Sequence, residues 1–163
     1  MPKHSPAASV NALAEQRVVP KVQYIKDLSF EVPRAPAIYL AIRNPPSLDV
    51  QTDVTTRLMT EGDRTYEVAL VMRLRATEIR PANTALGPIE FLAELSYAGL
   101  FSLAAIPDDL VDEALFVDCP HILFPFACGI LADLTRDANF PPVQIQPIDF
   151  IKNWENQRAR HQV

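Results

Sequence analysis

The chain has 163 residues, a net charge of −5 and a pI near 5.1, enough for one ordinary domain that buries roughly 70% of its unfolded surface. The acidic balance argues against nucleic acid as a main partner, because phosphate binding needs a clustered cationic surface, and it favours basic or unfolded cationic partners. Fifteen prolines against four glycines confine the prolines to loops, helix starts and edges, and with no glycine-rich loop nucleotide binding is unsupported.

Residues 1–20 are rich in Ala, Ser and Pro, lack aromatics and end at Pro20, a composition that predicts a disordered arm. From Val22 the residues Val22, Tyr24, Leu28 and Phe30 alternate with Gln23, Asp27, Ser29 and Glu31, the period of a strand with one buried and one wet face. Ile25 and Lys26 interrupt that alternation. Four prolines, Pro33, Pro36, Pro45 and Pro46, bracket Ala37-Ile38-Tyr39-Leu40-Ala41-Ile42 and break any continuous ladder, so this stretch is expected to be an apolar cross-over loop. Surface loops have no reason to carry Ile38, Tyr39, Leu40 and Ile42 unless these line a groove or an interface.

Two further strands follow, with Val50, Thr52, Val54, Thr56 and Leu58 on one face of the first and Tyr66, Val68, Leu70, Met72 and Leu74 on one face of the second. Gly62-Asp63 between them suits a tight hairpin turn. A fourth strand is expected over Ile89 to Leu103, with Phe91, Ala93, Leu95 and Tyr97 opposed to Glu90, Leu92, Glu94 and Ser96, whose charged side leaves one sheet face wet or free for a partner. After Ile106 the period becomes helical. Leu110, Ala114 and Val117 share a face behind Asp108, Asp109, Asp112 and Glu113, carboxylates that suit a helix N-terminus without any metal. Pro120 and Asn139 bracket a second helical stretch lined by Leu123, Phe126, Ala127, Ile130, Leu131 and Leu134, with Pro125 as an expected kink. A last helix is expected from Pro147, carrying Ile148, Ile151 and Trp154 before a mobile polar tail at 155–163. Strands first and helices afterwards is an α+β order.

No catalytic constellation stands out. Cys119 and His121 are neighbours in sequence, but nucleophile and base are normally assembled from distant segments, and a buried Cys beside a helix-start His explains the pair. Cys119 and Cys128 are too few for a zinc site and are expected to be reduced thiols, since neither a secretory signal nor an apolar run of about 18 residues is found. The expectation is a soluble, cytoplasmic protein that is not an enzyme and needs no cofactor.

Tyr24-Ile25-Lys26-Asp27-Leu28-Ser29-Phe30-Glu31-Val32-Pro33 followed by Ala35-Pro36 resembles the first-strand signature of the SecB family. Cys119-Pro120-His121-Ile122-Leu123-Phe124-Pro125-Phe126-Ala127 is similar to a second family block, and Gly99-Leu100-Phe101-Ser102, Asn139-Phe140-Pro141-Pro142 and Pro147-Ile148-Asp149-Phe150 match in order. The resemblance covers about residues 22–154 and implies a chaperone domain over 21–154. That domain would be a four-stranded antiparallel sheet with helices packed on one side, assembled as a dimer of dimers. It implies a chaperone that holds unfolded secretory precursors and passes them to the motor ATPase SecA, without nucleic acid or membrane insertion. Ile38, Tyr39, Leu123, Phe124 and Phe126 match the family's client groove, and Asp27, Glu31, Leu92 and Glu94 its SecA-binding face. A SecB-like chaperone of another client, such as a toxin-antitoxin pair, is the alternative. The chain departs from familiar members in three places: Cys128-Gly129 replaces Arg-Glu, Arg43 stands near a usual aromatic, and the tail after Trp154 is basic where others are often acidic.

Overall fold

The structure, a computed structural model, describes residues 18–41, 44–79 and 87–161. Most of the expected arm, Ile42 and Arg43 of the cross-over stretch and the last two residues lie outside that set. Strands β1 (Val19–Glu31), β2 (Ser47–Thr60), β3 (Thr65–Thr77) and β4 (Ile89–Ser102) form one antiparallel sheet in the order β1-β4-β3-β2, followed by the helices α1 (Asp108–Asp137) and α2 (Phe150–His161). The α+β expectation holds. The strands β2 to β4 run as a meander, and β1 adds beside β4, so the 32–46 connection must cross the end of the sheet to reach the far edge. This crossing is why the connection is apolar: a short 3-10 turn at Ala37–Leu40 inserts Ile38 into the core.

One face of the sheet carries the alternating set foreseen for β3 and β4. Val68, Leu70, Met72, Leu74, Phe91 and Leu95 are almost completely buried, each such side chain contributing roughly 1.5–3 kcal/mol relative to exposure. Helix α1 covers them with Leu123, Ala127 and Leu131, an i, i+4 stripe. By length and composition α1 could cross a bilayer, but this stripe is spent on the sheet. Gly99 belongs to the same face, where an added Cβ would sit 2.9 Å from the Phe101 ring.

Several boundaries differ from expectation. β1 starts at Val19, inside the stretch assigned to the arm; Pro20 is tolerated because β1 is an edge strand and the register slips between Pro20 and Val22. A second slip lies between Ile25 and Asp27. This β-bulge reverses the facing of the strand, so Val22 and Tyr24 share the outer face with Asp27, Ser29 and Glu31, and Ile25 joins Leu28 and Phe30 on the helix side. The β2–β3 turn has four residues, and Arg64, not Gly62, takes the left-handed conformation at φ 49°. Arg64 is held there by Ile106 O at 3.0 Å and Asp108 at 3.2 Å. Glu90, expected outward, is buried beside Ala41 and Asn44 of the cross-over segment.

The two helical stretches expected around Pro120 are one continuous helix. A π turn at Ala114–Asp118 widens the helix where Pro120 withholds its N–H and would crowd the carbonyl four residues back. α2 starts at Phe150 instead of Pro147, because the Asp149 carboxylate accepts from Lys152 N at 3.0 Å and caps it. It continues to His161, so most of the expected tail is helical. Buried Thr135 accepts from Val143 N at 3.1 Å and donates to Leu131 O at 3.0 Å, pinning the segment that leads back to α2.

Candidate functional site

Two surfaces on opposite sides of the sheet collect the residues singled out in the sequence. On the outer face, register places Asp27 against Ser96, Ser29 against Glu94 and Glu31 against Leu92. Asp27, Glu31, Leu92 and Glu94 therefore share one side of the β1–β4 pair, as period-2 alternation requires. Glu31, Leu92 and Glu94 line an open depression of about 400 Å³ that reaches across to β3 and β2. Glu94 accepts from Arg73 Nε at 3.2 Å across the strands, a contact absent from the sequence reading because only register reveals it.

Further along the same face the buried Glu67 is tied to both edges of the sheet. Tyr24 Oη donates to it at 2.5 Å, Lys26 Nζ lies at 2.6 Å and Arg57 at 3.8 Å. Lys26 reaches it from the bulge. The Lys26 and Tyr24 hydrogen bonds hold the Glu67 carboxyl below its ordinary pKa, while burial and then Glu67 push the Tyr24 phenol up to about 12. At the end of the sheet, Lys21 at 2.5 Å and Thr60 at 2.6 Å hold the exposed Asp63 well below the usual carboxylate range.

The helix side carries the apolar candidates, and they separate into three kinds. Ile38 and Leu123 belong to the core, at 3% and 0% exposure, so they cannot line an open groove in this chain. Phe124 packs edge-on against Phe150 of α2, ring centres 6.0 Å apart. Only Tyr39 and Phe126 are exposed, at 38% and 54%. Phe126 leans over Tyr97 at 6.5 Å, and Tyr39 packs on Phe140 at 6.0 Å while donating to Ala138 O at 2.8 Å. Between them the helix-side face of β1 presents Ile25 opposite Tyr97 and Leu28 opposite Leu95, with Phe30 stacked on Phe91. Ile25 at 48% and Leu28 at 37% are exposed. An apolar strip thus runs between the β1 edge and α1 from Phe126 to Tyr39. Ile25 and Leu28 were not foreseen as part of it.

Among the described residues, Cys119 and His121 do not come together as a nucleophile and its base. Cys119 is buried while His121 is exposed, and burial pushes both Cys119 and Cys128 thiols above their ordinary value, away from the thiolate a nucleophile needs. Among the described residues no three His, Cys, Asp or Glu side chains could hold a metal ion.

The family model described as "Preprotein translocase subunit SecB" matches residues 12–161. The chain belongs to the SecB family. The protein-export protein SecB of Granulibacter bethesdensis is 48% identical over 95% of this chain and 90% of its own length. That of Acidiphilium cryptum is 44% identical over 91% of this chain and 95% of its own. The SecB-like chaperone of Mycobacterium tuberculosis, solved with a peptide from the HigA1 antitoxin, shares the fold at a TM-score of 0.62 and 16% identity, over 82% of this chain and 91% of that one. SecB proteins are protein-export chaperones and not an enzyme family, so the surfaces above are those of a protein that binds client precursors.

Proposed function

We propose that the chain acts in the cytoplasm as a tetramer that holds unfolded secretory precursors on the apolar strip and delivers them to the SecA motor through the acidic outer face. The observation that carries this reading is the separation of the two surfaces by one sheet: Tyr39, Ile25, Leu28 and Phe126 on the helix side, Asp27, Glu31 and Glu94 on the other. Client and motor can then be bound at once. Apolar burial is non-directional and worth roughly 25 cal/mol per Å², so the strip accepts many sequences, and several weak contacts in one tetramer add through effective concentration.

Support for assembly comes from the β1 edge, where Val19, Val22, Ile25 and Leu28 are exposed along a strand paired on one side only. Such an edge is normally covered. Pairing two β1 edges would consume backbone groups and leave Ile25 and Leu28 facing the helix side, so the strip would continue into the second copy.

The test is titration calorimetry of SecA into the wild type and Asp27→Lys, with light scattering on both. Asp27 is exposed and makes no salt bridge among the described residues, so its replacement costs folding about 0.5 kcal/mol or less while turning attraction for a cationic partner into repulsion. Weaker SecA binding with unchanged client affinity and tetramer mass is expected. Equal SecA affinity, or a monomer at micromolar concentration, refutes the corresponding part of the reading.

A further inference from the structure

Two arginines stand in the middle of the acidic outer face. Register aligns Glu31, Leu92, Arg75 and Asp49 in one row across β1, β4, β3 and β2, and Ser29, Glu94, Arg73 and Gln51 in the next. Both rows border the same 400 Å³ depression. Arg73 is paired with Glu94, but both side chains are nearly half exposed, so the pair contributes little and exchanges partners at small cost. Arg75 is exposed and has no salt-bridge partner among the described residues. Both guanidinium groups are thus available to an incoming group.

A segment bearing only cationic side chains would find carboxylates at the sides of this depression and two like charges at its centre. Like-charge juxtaposition is how an interface rejects a wrong partner. A segment with a carboxylate between cations meets opposite charge at Glu31, Arg75 and Asp49, the charged positions of the first row, and the planar guanidinium fork matches a carboxylate in bidentate geometry. We infer that Arg73 and Arg75 make the docking face selective for a mixed-charge segment, its carboxylate seated on the arginines and its flanking cations on Glu31 and Asp49. Three strand spacings separate β1 from β2, about 14 Å, which an extended segment of about four residues spans. The arginines also keep the purely basic stretches of unfolded clients off the face that the motor needs. This inference rests on the outer face being the motor's docking site.

Four proteins decide it by calorimetric titration with SecA: wild type, Asp27→Lys, the double variant Arg73→Gln/Arg75→Gln, and Arg75→Lys. Two synthetic peptides of equal length, one with lysines only and one with a central glutamate between lysines, are titrated into the same set. We expect the double variant to bind SecA at least ten-fold more weakly and Arg75→Lys to fall in between, since it keeps charge without the fork. The mixed peptide should outbind the basic one at least ten-fold on the wild type, and that preference should vanish in the double variant. SecA affinity that is unchanged or tighter in the double variant overturns the inference; if Asp27→Lys still weakens binding, the docking reading survives alone. Affinity indifferent to Asp27→Lys and to both arginine changes removes the docking face and the inference together.

Discussion

Replacing Leu123 and Phe126, three residues apart on α1, should separate stability from binding. Leu123 is fully buried and Phe126 is 54% exposed. Leu123→Ala removes three methyl-sized groups, about 2.4 kcal/mol of transfer free energy at about 0.8 kcal/mol each, and the unfilled space raises the cost to about 3–4 kcal/mol. Phe126 gives up at most about half of a phenylalanine's 1.5–3 kcal/mol on truncation, so Phe126→Ser should cost about 1.5 kcal/mol or less. Binding of a reduced, unfolded precursor should show the opposite order, falling several-fold in Phe126→Ser and staying near wild type in any Leu123→Ala that is still folded. Urea unfolding at two protein concentrations, which separates protomer stability from assembly, and calorimetric titration of the precursor are the assays. If Phe126→Ser loses as much stability as Leu123→Ala, or binds the precursor with wild-type affinity, Phe126 is not part of an open client surface.

Because Glu67 has a lowered pKa in the fold, its contribution is present above its ordinary value of 4.5 and is lost as pH falls through the lowered one. Glu67→Gln should cost about 2 kcal/mol near neutrality and flatten that acid limb in unfolding free energies measured against pH. Tyr24 has the opposite sign: its pKa is raised from 10.0 to about 12, so its contribution is complete below pH 10 and fades between 10 and 12, a limb that Tyr24→Phe should abolish. Native protein at pH 8 should react with a thiol reagent only slowly, at the half-buried Cys128, and release Cys119 to labelling only in denaturant. Labelling of native Cys119 at a free thiol's rate would refute its place in the core.

Period-2 alternation made β2, β3 and β4 legible, since Val50 to Thr56, Tyr66 to Leu74 and Phe91 to Tyr97 do share the core side of the sheet, which Leu58 extends to an exposed end. It failed in β1, where the interruption at Ile25-Lys26 marks the bulge but does not say which half of the strand changes face. The acidic face survived that failure, since Asp27, Glu31 and their neighbours all lie beyond the bulge. Burial of the apolar candidates depends instead on topology: the cross-over buries Ile38, and the edge position of β1 exposes Ile25 and Leu28. Pro120 reads as a helix start only if the helix is assumed regular; the π turn at Ala114–Asp118 lets the helix run through it unbroken. The cap at Asp149 was legible in principle, an Asp three residues before the amide it accepts from.

The bulge gives β1 two reading frames. From Asp27 onward, odd-numbered residues face outward; from Val22 to Ile25, even-numbered ones do, and Lys26 marks the change of parity. Losing Lys26 would set Ile25 beside Asp27 opposite the adjacent pair Tyr97 and Ser96, so alternation would run unbroken, both faces would keep their residues, and only the Lys26–Glu67 contact would be lost. A loss of one residue at the bulge is therefore absorbed there, whereas the same loss elsewhere in β1 would exchange the two faces on one side of it. Divergence along this strand should proceed by replacement on either side of the bulge, with changes of length confined to the bulge itself.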